Sequence, residues 1–230
     1  MNDPLPECIW FYTGADYLII NAFLWKNKEA LGPCLDVVWQ NNRCVIREAE
    51  AEGPEKRFAE APLDGVSLYR AYIKRTPEAL DFDSKRAMLM QAIADIRLLC
   101  GSMKPLEDPI LLYRNLGKGA CLRNVGEGDP VDLPGITSTS TTGQQIDYGN
   151  NDMRKPAQIL KLEIPAGMPA LFIEGAEHEV LLPPMRYTAA GVGVENDVPT
   201  VALRALSPLD LEEVIRSASE AFSEYFDRQK

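Results

Sequence analysis

Glu174-Gly175-Ala176-Glu177-His178-Glu179-Val180-Leu181-Leu182-Pro183-Pro184 sets two carboxylates at the entrance of a very apolar run. In an extended chain, side chains two residues apart point to the same face. Glu177, Glu179 and Leu181 then share one side, and His178 and Val180 the other. Glu179 therefore neighbours a core-facing leucine, where a carboxylate is costly unless it accepts hydrogen bonds. A hydroxyl on an adjacent strand is the natural donor. Taken by itself the stretch also reads as a solvated acidic turn before a buried strand, more readily for Glu177 than for Glu179.

The hydroxyls are supplied upstream, in Gly135-Ile136-Thr137-Ser138-Thr139-Ser140-Thr141-Thr142. Threonine is a good strand former, so this run on its own is equally a strand facing water. Further upstream, Leu112-Tyr113-Arg114-Asn115-Leu116 ends a short apolar strand with an arginine, which alone is an ordinary surface residue. The order of the three stretches carries more than any one of them.

These stretches lie in a half of the chain built from short runs divided by Gly and Pro. Ile110 to Tyr113, Gly135 to Thr139, Gln158 to Ile164, Ala170 to Ile173, Glu179 to Leu182, Tyr187 to Val194 and Thr200 to Leu206 read as strands. Before them the pattern is helical. A helix is expected over 13–31, with Tyr17, Ile20 and Leu24 on one face and Gly32-Pro33 as its stop. A second is expected over 83–100, with Met88, Ala92, Ile96 and Leu99 inward. Val37 to Ile46 suggests a hairpin, 48–62 a solvated connection and 64–75 a short helix. Pro208 to Arg228 reads as a closing helix with Leu211, Val214, Ile215, Ala218, Phe222 and Phe226 on a face. The expectation is one α+β domain over 1–230, mainly helical over 8–105, mainly strands over 106–206, with a helix over 208–228.

Composition narrows the function. The chain has 230 residues, 46% apolar and 25% charged, an ordinary globular balance. Its net charge of −10 and lack of a Lys/Arg cluster argue against nucleic acid and anionic membrane as partners. The 5 cysteines are widely spaced, no CxxC occurs, and the single histidine, His178, cannot complete a zinc set. Reduced thiols and no metal are expected. Met1 to Glu7 has neither the basic nor the apolar region of a secretory leader. The expected place of action is a cytoplasm, that of the maker or, through a specialised secretion route, that of a host cell.

Arginine on one strand, then Ser-Thr-Ser, then Glu-x-Glu entering Val-Leu-Leu-Pro resembles the arginine–serine–glutamate class of mono-ADP-ribosyltransferases. That class includes binary actin-modifying toxins, C3-like toxins, bacterial effectors and vertebrate ecto-enzymes. Two further places agree. Tyr12-Thr13-Gly14-Ala15-Asp16-Tyr17-Leu18-Ile19-Ile20-Asn21-Ala22-Phe23-Leu24 looks like the family's early helix, and Pro184-Met185-Arg186-Tyr187 stands where it often carries Pro-Arg-Gly and an aromatic. The resemblance spans roughly residues 9–205.

It implies an α+β fold of two small, roughly perpendicular antiparallel or mixed sheets, with NAD as substrate in the cleft between them. By similarity Arg114 pairs with the NAD phosphates, Ser138 orients Glu179, and Thr139 and Ser140 shape the nicotinamide pocket. Glu179 is then the catalytic carboxylate. Glu177 holds and helps deprotonate the acceptor, which favours arginine on a target protein. Tyr148, Arg154 and Tyr12 are candidates for further cofactor contacts, whereas Asn21 reads more readily as a structural residue of the early helix. The class also implies an effector or toxin role.

The chain departs from the family at Asn115, where Gly or Arg is common, and at Trp25, where a basic residue often ends the early helix. Residues 34–83 align with nothing in the family. An NAD glycohydrolase, a transferase with a non-arginine acceptor and an inactive binding module of the same fold are the competing readings. The intact Arg, Ser and Glu positions weigh against the last. No GxGxxG follows a strand, which disfavours a nucleotide-binding dehydrogenase. The sequence does not fix an oligomeric state.

Overall fold

A computed structural model describes residues 17–35, 82–117, 120–142, 156–173 and 179–226. The chain divides into two compact units, one of residues 1–101 with 212–230 and one of residues 102–211.

The described part of the first unit is helical: α1 (Tyr17–Leu24), α2 (28–35), α3 (Phe82–Ser102) and α4 (Leu211–Ala221), followed by a 3-10 turn at Ser223–Tyr225. The helix expected over 13–31 is in fact two. Lys26 adopts a left-handed φ of 53°, and Asn27 and Lys26 donate back to the carbonyls of Ala22 and Phe23. This is a Schellman closure with lysine at the position usually held by glycine. Asn27 then caps the next helix, its Oδ1 accepting from the Ala30 N–H at 3.1 Å. Local hydrogen bonding thus stops α1 before Gly32-Pro33, which lie inside α2.

On α3 the buried face is Leu89, Ala92, Ile93, Ile96 and Leu99, with Asp95 buried among them. Met88, expected inward, is half-buried. The closing helix is shorter than the expected 208–228, because the last strand runs through Pro208; of the expected face Ile215, Ala218 and, just past the helix end, Phe222 are buried, and Leu211, Val214 and Phe226 are half-buried. The Phe222 ring stacks on Phe23 of α1 at 5.9 Å between centroids, and Arg97 of α3 grips Glu212 with two bonds of 2.8 Å. Glu212 and Glu213 sit in the first turn of α4, where the helix dipole favours negative charge. The expectations for 37–46, 48–62 and 64–75 lie outside the described residues.

The second unit is the sheet: β1 (Lys104–Pro105), β2 (Ile110–Leu116), β3 (Pro130–Leu133), β4 (Thr137–Ser140), β5 (Gln158–Ile164), β6 (Pro169–Phe172), β7 (Glu179–Leu182), β8 (Met185–Glu195) and β9 (Val198–Pro208). The α+β class is as expected. All seven expected strands are present, several of them longer; β1 and β3 were not expected. β1 is only two residues and contains a proline, and β3 has four residues after a Gly-rich turn, too short for alternation to register.

The strand order is β1-β6-β7-β4-β2-β5-β9-β8-β3, with β5 and β9 parallel and the other pairs antiparallel. The two expected sheets are therefore two parts of one hydrogen-bonded series. They join at β2 and β4 through a single paired position, Tyr113 with Ser140. Leu112, Leu160, Leu162, Leu182, Met185 and Leu203 belong to one buried cluster that draws on both parts. β8 and β9 form a hairpin whose turn residues Asn196 and Asp197 have φ of 49° and 60°, as a tight two-residue turn requires. No described helix is long and apolar enough to cross a membrane.

Candidate active site

β4 lies between β7 and β2, so one residue of it can address both neighbours. That residue is Ser138. In the β4–β7 register Ser138 faces Leu181 and Ser140 faces Glu179, which makes Ser138 and Glu179 diagonal neighbours on one face. The Ser138 hydroxyl donates to Glu179 Oε1 at 2.5 Å. Leu181, two residues on and on the same face, is fully buried, whereas Glu179 is half-buried. The carboxylate thus stands at the rim of an apolar surface and is held by a short, charge-assisted bond.

On the other side the ladder between β2 and β4 ends at Tyr113. Arg114 is the next residue, and its Nη1 donates to the Ser138 carbonyl at 2.7 Å where the strands part. In β2 it shares a face with Leu112 and Leu116, both buried in the sheet core. Its stem therefore starts on the apolar side, while the guanidinium reaches the opening between the strands. Neither Arg114 nor Glu179 forms an ion pair with a described residue. Only one of the five guanidinium donors is engaged among those residues, so the fork is free to take an anion.

Thr139 and Ser140 are placed differently from Ser138. Thr139 is buried on the opposite face and donates to the Val180 carbonyl at 2.6 Å, strapping β4 to β7. Ser140 shares the face of Ser138, but its Oγ lies 3.1 Å from Thr142 Oγ1 and accepts from the Thr142 N–H at 3.1 Å. Arg114, Ser138 and Glu179 are thus brought together, and the Thr139 side chain is not part of that group. Glu177, Tyr148, Arg154 and Tyr12 lie outside the described residues.

Two residues gain a meaning that their sequence context did not carry. Gln158, read only as the start of a strand, is buried. Its amide accepts from the Leu122 N–H at 2.7 Å and donates to the Leu122 carbonyl at 3.1 Å. It fixes the chain that leaves β2 just after Arg114. Tyr187 on β8 is fully buried, and its hydroxyl has no hydrogen-bond partner among the described residues. Burial drives the phenol above its usual range, and the Arg114 charge draws it partly back. Among the described residues no three His, Cys, Asp or Glu side chains gather as metal ligands would.

No family model and no curated protein matches the sequence. Among solved structures the chain is similar to the catalytic domain of VahC from Aeromonas hydrophila, at 16% identity over 90% of this chain and 98% of that one, with a TM-score of 0.45. It is similar to Vis toxin, an ADP-ribosyltransferase from Vibrio splendidus, at 13% identity over 87% and 72% of the two chains, TM-score 0.44. It is also similar to an ADP-ribosyltransferase from Clostridium botulinum, at 15% identity over 86% and 84%, TM-score 0.41.

Proposed function

We propose that the chain is an NAD-dependent mono-ADP-ribosyltransferase that modifies a protein side chain, with arginine as the acceptor. One observation carries the reading: a single serine holds a rim carboxylate by its side chain and a half-free arginine by its backbone, at 2.5 and 2.7 Å. Acyl transfer, redox and metal hydrolysis need other groups. A carboxylate and an anion-binding fork suit cleavage of a glycosidic bond in a phosphorylated substrate.

In the reaction the bond between nicotinamide nitrogen and ribose C1′ breaks, and nicotinamide leaves neutral with the electron pair. The ribose becomes positively charged, as in glycoside hydrolysis, and Glu179 stabilises that charge. Arg114 binds the diphosphate, where a planar fork outperforms a point charge. A guanidine nitrogen of the acceptor then bonds to C1′ and gives up its proton. Glu177 takes that proton; its place two residues before Glu179 supports the role. The acidic net charge is compatible with an anionic substrate because Arg114 supplies the positive charge locally. We assign the action to a host-cell cytoplasm, as an effector or toxin, on the sequence resemblance.

Biotin-tagged NAD incubated with cell lysate tests the proposal. Wild type is expected to label protein bands that Glu179→Ala does not, and hydroxylamine is expected to release the label, as from arginine. Nicotinamide release without labelled protein would make the chain an NAD glycohydrolase. No NAD cleavage at all would end the proposal.

A further inference from the structure

The free edge of the sheet at β1 carries a groove of about 420 Å³ in which Leu106, Ile110, Ala170 and Phe172 supply apolar surface. Phe172 is 50% exposed, an unusual state for a phenylalanine beside a strand pair. Lys104, Glu107 and Asp108 border the same groove and are exposed. On the strands of this sheet Asp132 is paired with Arg186, Glu163 with Arg204 and Glu195 with Lys161. Glu107 and Asp108 have no ion-pair partner among the described residues, and with Lys104 they leave this border net negative.

The groove is also continuous with the catalytic strand. Phe172 pairs with Val180, and the N–H of Ile173 donates to the carbonyl of Glu179 at 2.9 Å. One strand spacing, about 5 Å, therefore separates the groove's wall from the strand that starts at Glu179, and because Phe172 shares the face of Val180 while Glu179 points to the other, an occupant touches both by lying over the edge of β6. The occupant is not an added strand. Pro105 and Pro109 lack N–H groups, and the Leu106 N–H and carbonyl are already bonded to Met168 and Gly167. Recognition must come from side chains.

We infer that this groove docks the acceptor protein, taking an apolar side chain against Phe172 and basic residues against Glu107 and Asp108 while the modified residue reaches Glu179 over the edge of β6. The inference rests on the transferase reading and specifies its substrate: an acceptor site with lysines or arginines beside an exposed apolar residue. Charge complementarity favours a cationic protein face over a second copy of this acidic chain, and attraction of this kind speeds encounter.

The test compares wild type with Phe172→Ser and with the Glu107→Lys, Asp108→Lys double variant. Three readouts are needed: NAD cleavage without acceptor, labelling of agmatine, and labelling of core histones as a basic protein probe. Agmatine is too small to span groove and site together. Both variants are expected to cleave NAD and label agmatine within about twofold of wild type, and to lose about tenfold or more in kcat/KM for histones. The double variant is expected to flatten the salt dependence of histone labelling. Histone labelling that survives both variants overturns the inference, as does wild type that labels agmatine but not histones. Equal loss of all three activities also overturns it, by giving these residues a general structural role. A wild type that cleaves no NAD refutes the transferase reading instead.

Discussion

Replacing Ser138 by alanine separates two functions that meet in one residue. The hydroxyl that donates to Glu179 Oε1 at 2.5 Å is lost, whereas the backbone carbonyl that accepts from Arg114 at 2.7 Å is kept. A hydrogen bond to a charged group contributes about 1.5–3 kcal/mol net. If that bond orients the carboxylate for the charged transition state, its loss lowers kcat by about tenfold to 150-fold. The KM for NAD should stay within about twofold, because Arg114, the proposed phosphate-binding group, is untouched. Nicotinamide release over a range of NAD concentrations gives both constants. Combining Ser138→Ala with Glu179→Gln should cost little beyond Glu179→Gln alone, since the serine acts through the glutamate. A Ser138→Ala enzyme with normal kcat refutes the reasoning. So does one whose loss lies in KM, or a double variant whose losses simply multiply.

Other perturbations have distinct signatures. Arg114→Lys keeps the charge but not the fork, so the KM for NAD should rise by about tenfold or more with a smaller change in kcat, read from the same assay. Tyr187→Phe removes a buried hydroxyl that has no partner among the described residues, so thermal unfolding should show stability unchanged or raised by up to about 1 kcal/mol rather than the usual loss from a core substitution. Asp95 is buried on α3, and burial raises its carboxyl above the ordinary 3.8, against the lowering effect of the Gln91 hydrogen bond. A raised folded value means that Asp95 destabilises the fold once pH rises through it, and not below 3.8. Asp95→Asn should therefore raise the urea midpoint near pH 7 and leave it unchanged near pH 3.

The sheet was legible where strands were long enough to alternate. Gln158–Ile164 buries every second residue and was bounded correctly, as was Glu179–Leu182 between its acidic start and Pro183. Lys104–Pro105 was not, because two residues carry no period; its pairing with Ala170 and Pro169 exists only once β6 is in place. The break at Lys26 was hidden for another reason. A lysine at positive φ has no sequence signature, and the glycine-proline pair six residues later was the more conspicuous stop. In the site, parity along one strand put Glu179 next to a buried leucine and predicted its hydroxyl partner. The same parity separates Thr139 from Ser138, yet the run of hydroxyls masked it. Nothing in the local sequence shows that Gln158 reaches Leu122, 36 positions away, or that the Tyr187 hydroxyl is left unpaired.

Ser138 also explains why the site sits where the sheet is thinnest in hydrogen bonds. A regular ladder between β2 and β4 would have satisfied the Ser138 carbonyl with a backbone donor and left the Arg114 guanidinium without that acceptor. Because only Tyr113 and Ser140 pair, the carbonyl needs a donor, and the neighbouring guanidinium supplies it. The spacing between the anion-binding group and the carboxylate is then set by the two ends of one residue on a short strand, not by two independent loops. Reacting groups held to within a fraction of an ångström are what orientation-dependent catalysis requires. Any shift of β4 moves both contacts together, so the proposed phosphate binding at Arg114 is mechanically linked to the pose of Glu179. A substitution that disturbs β4 without touching either charged group, such as loss of the Thr139 bond to Val180, should then reduce NAD binding and turnover in parallel.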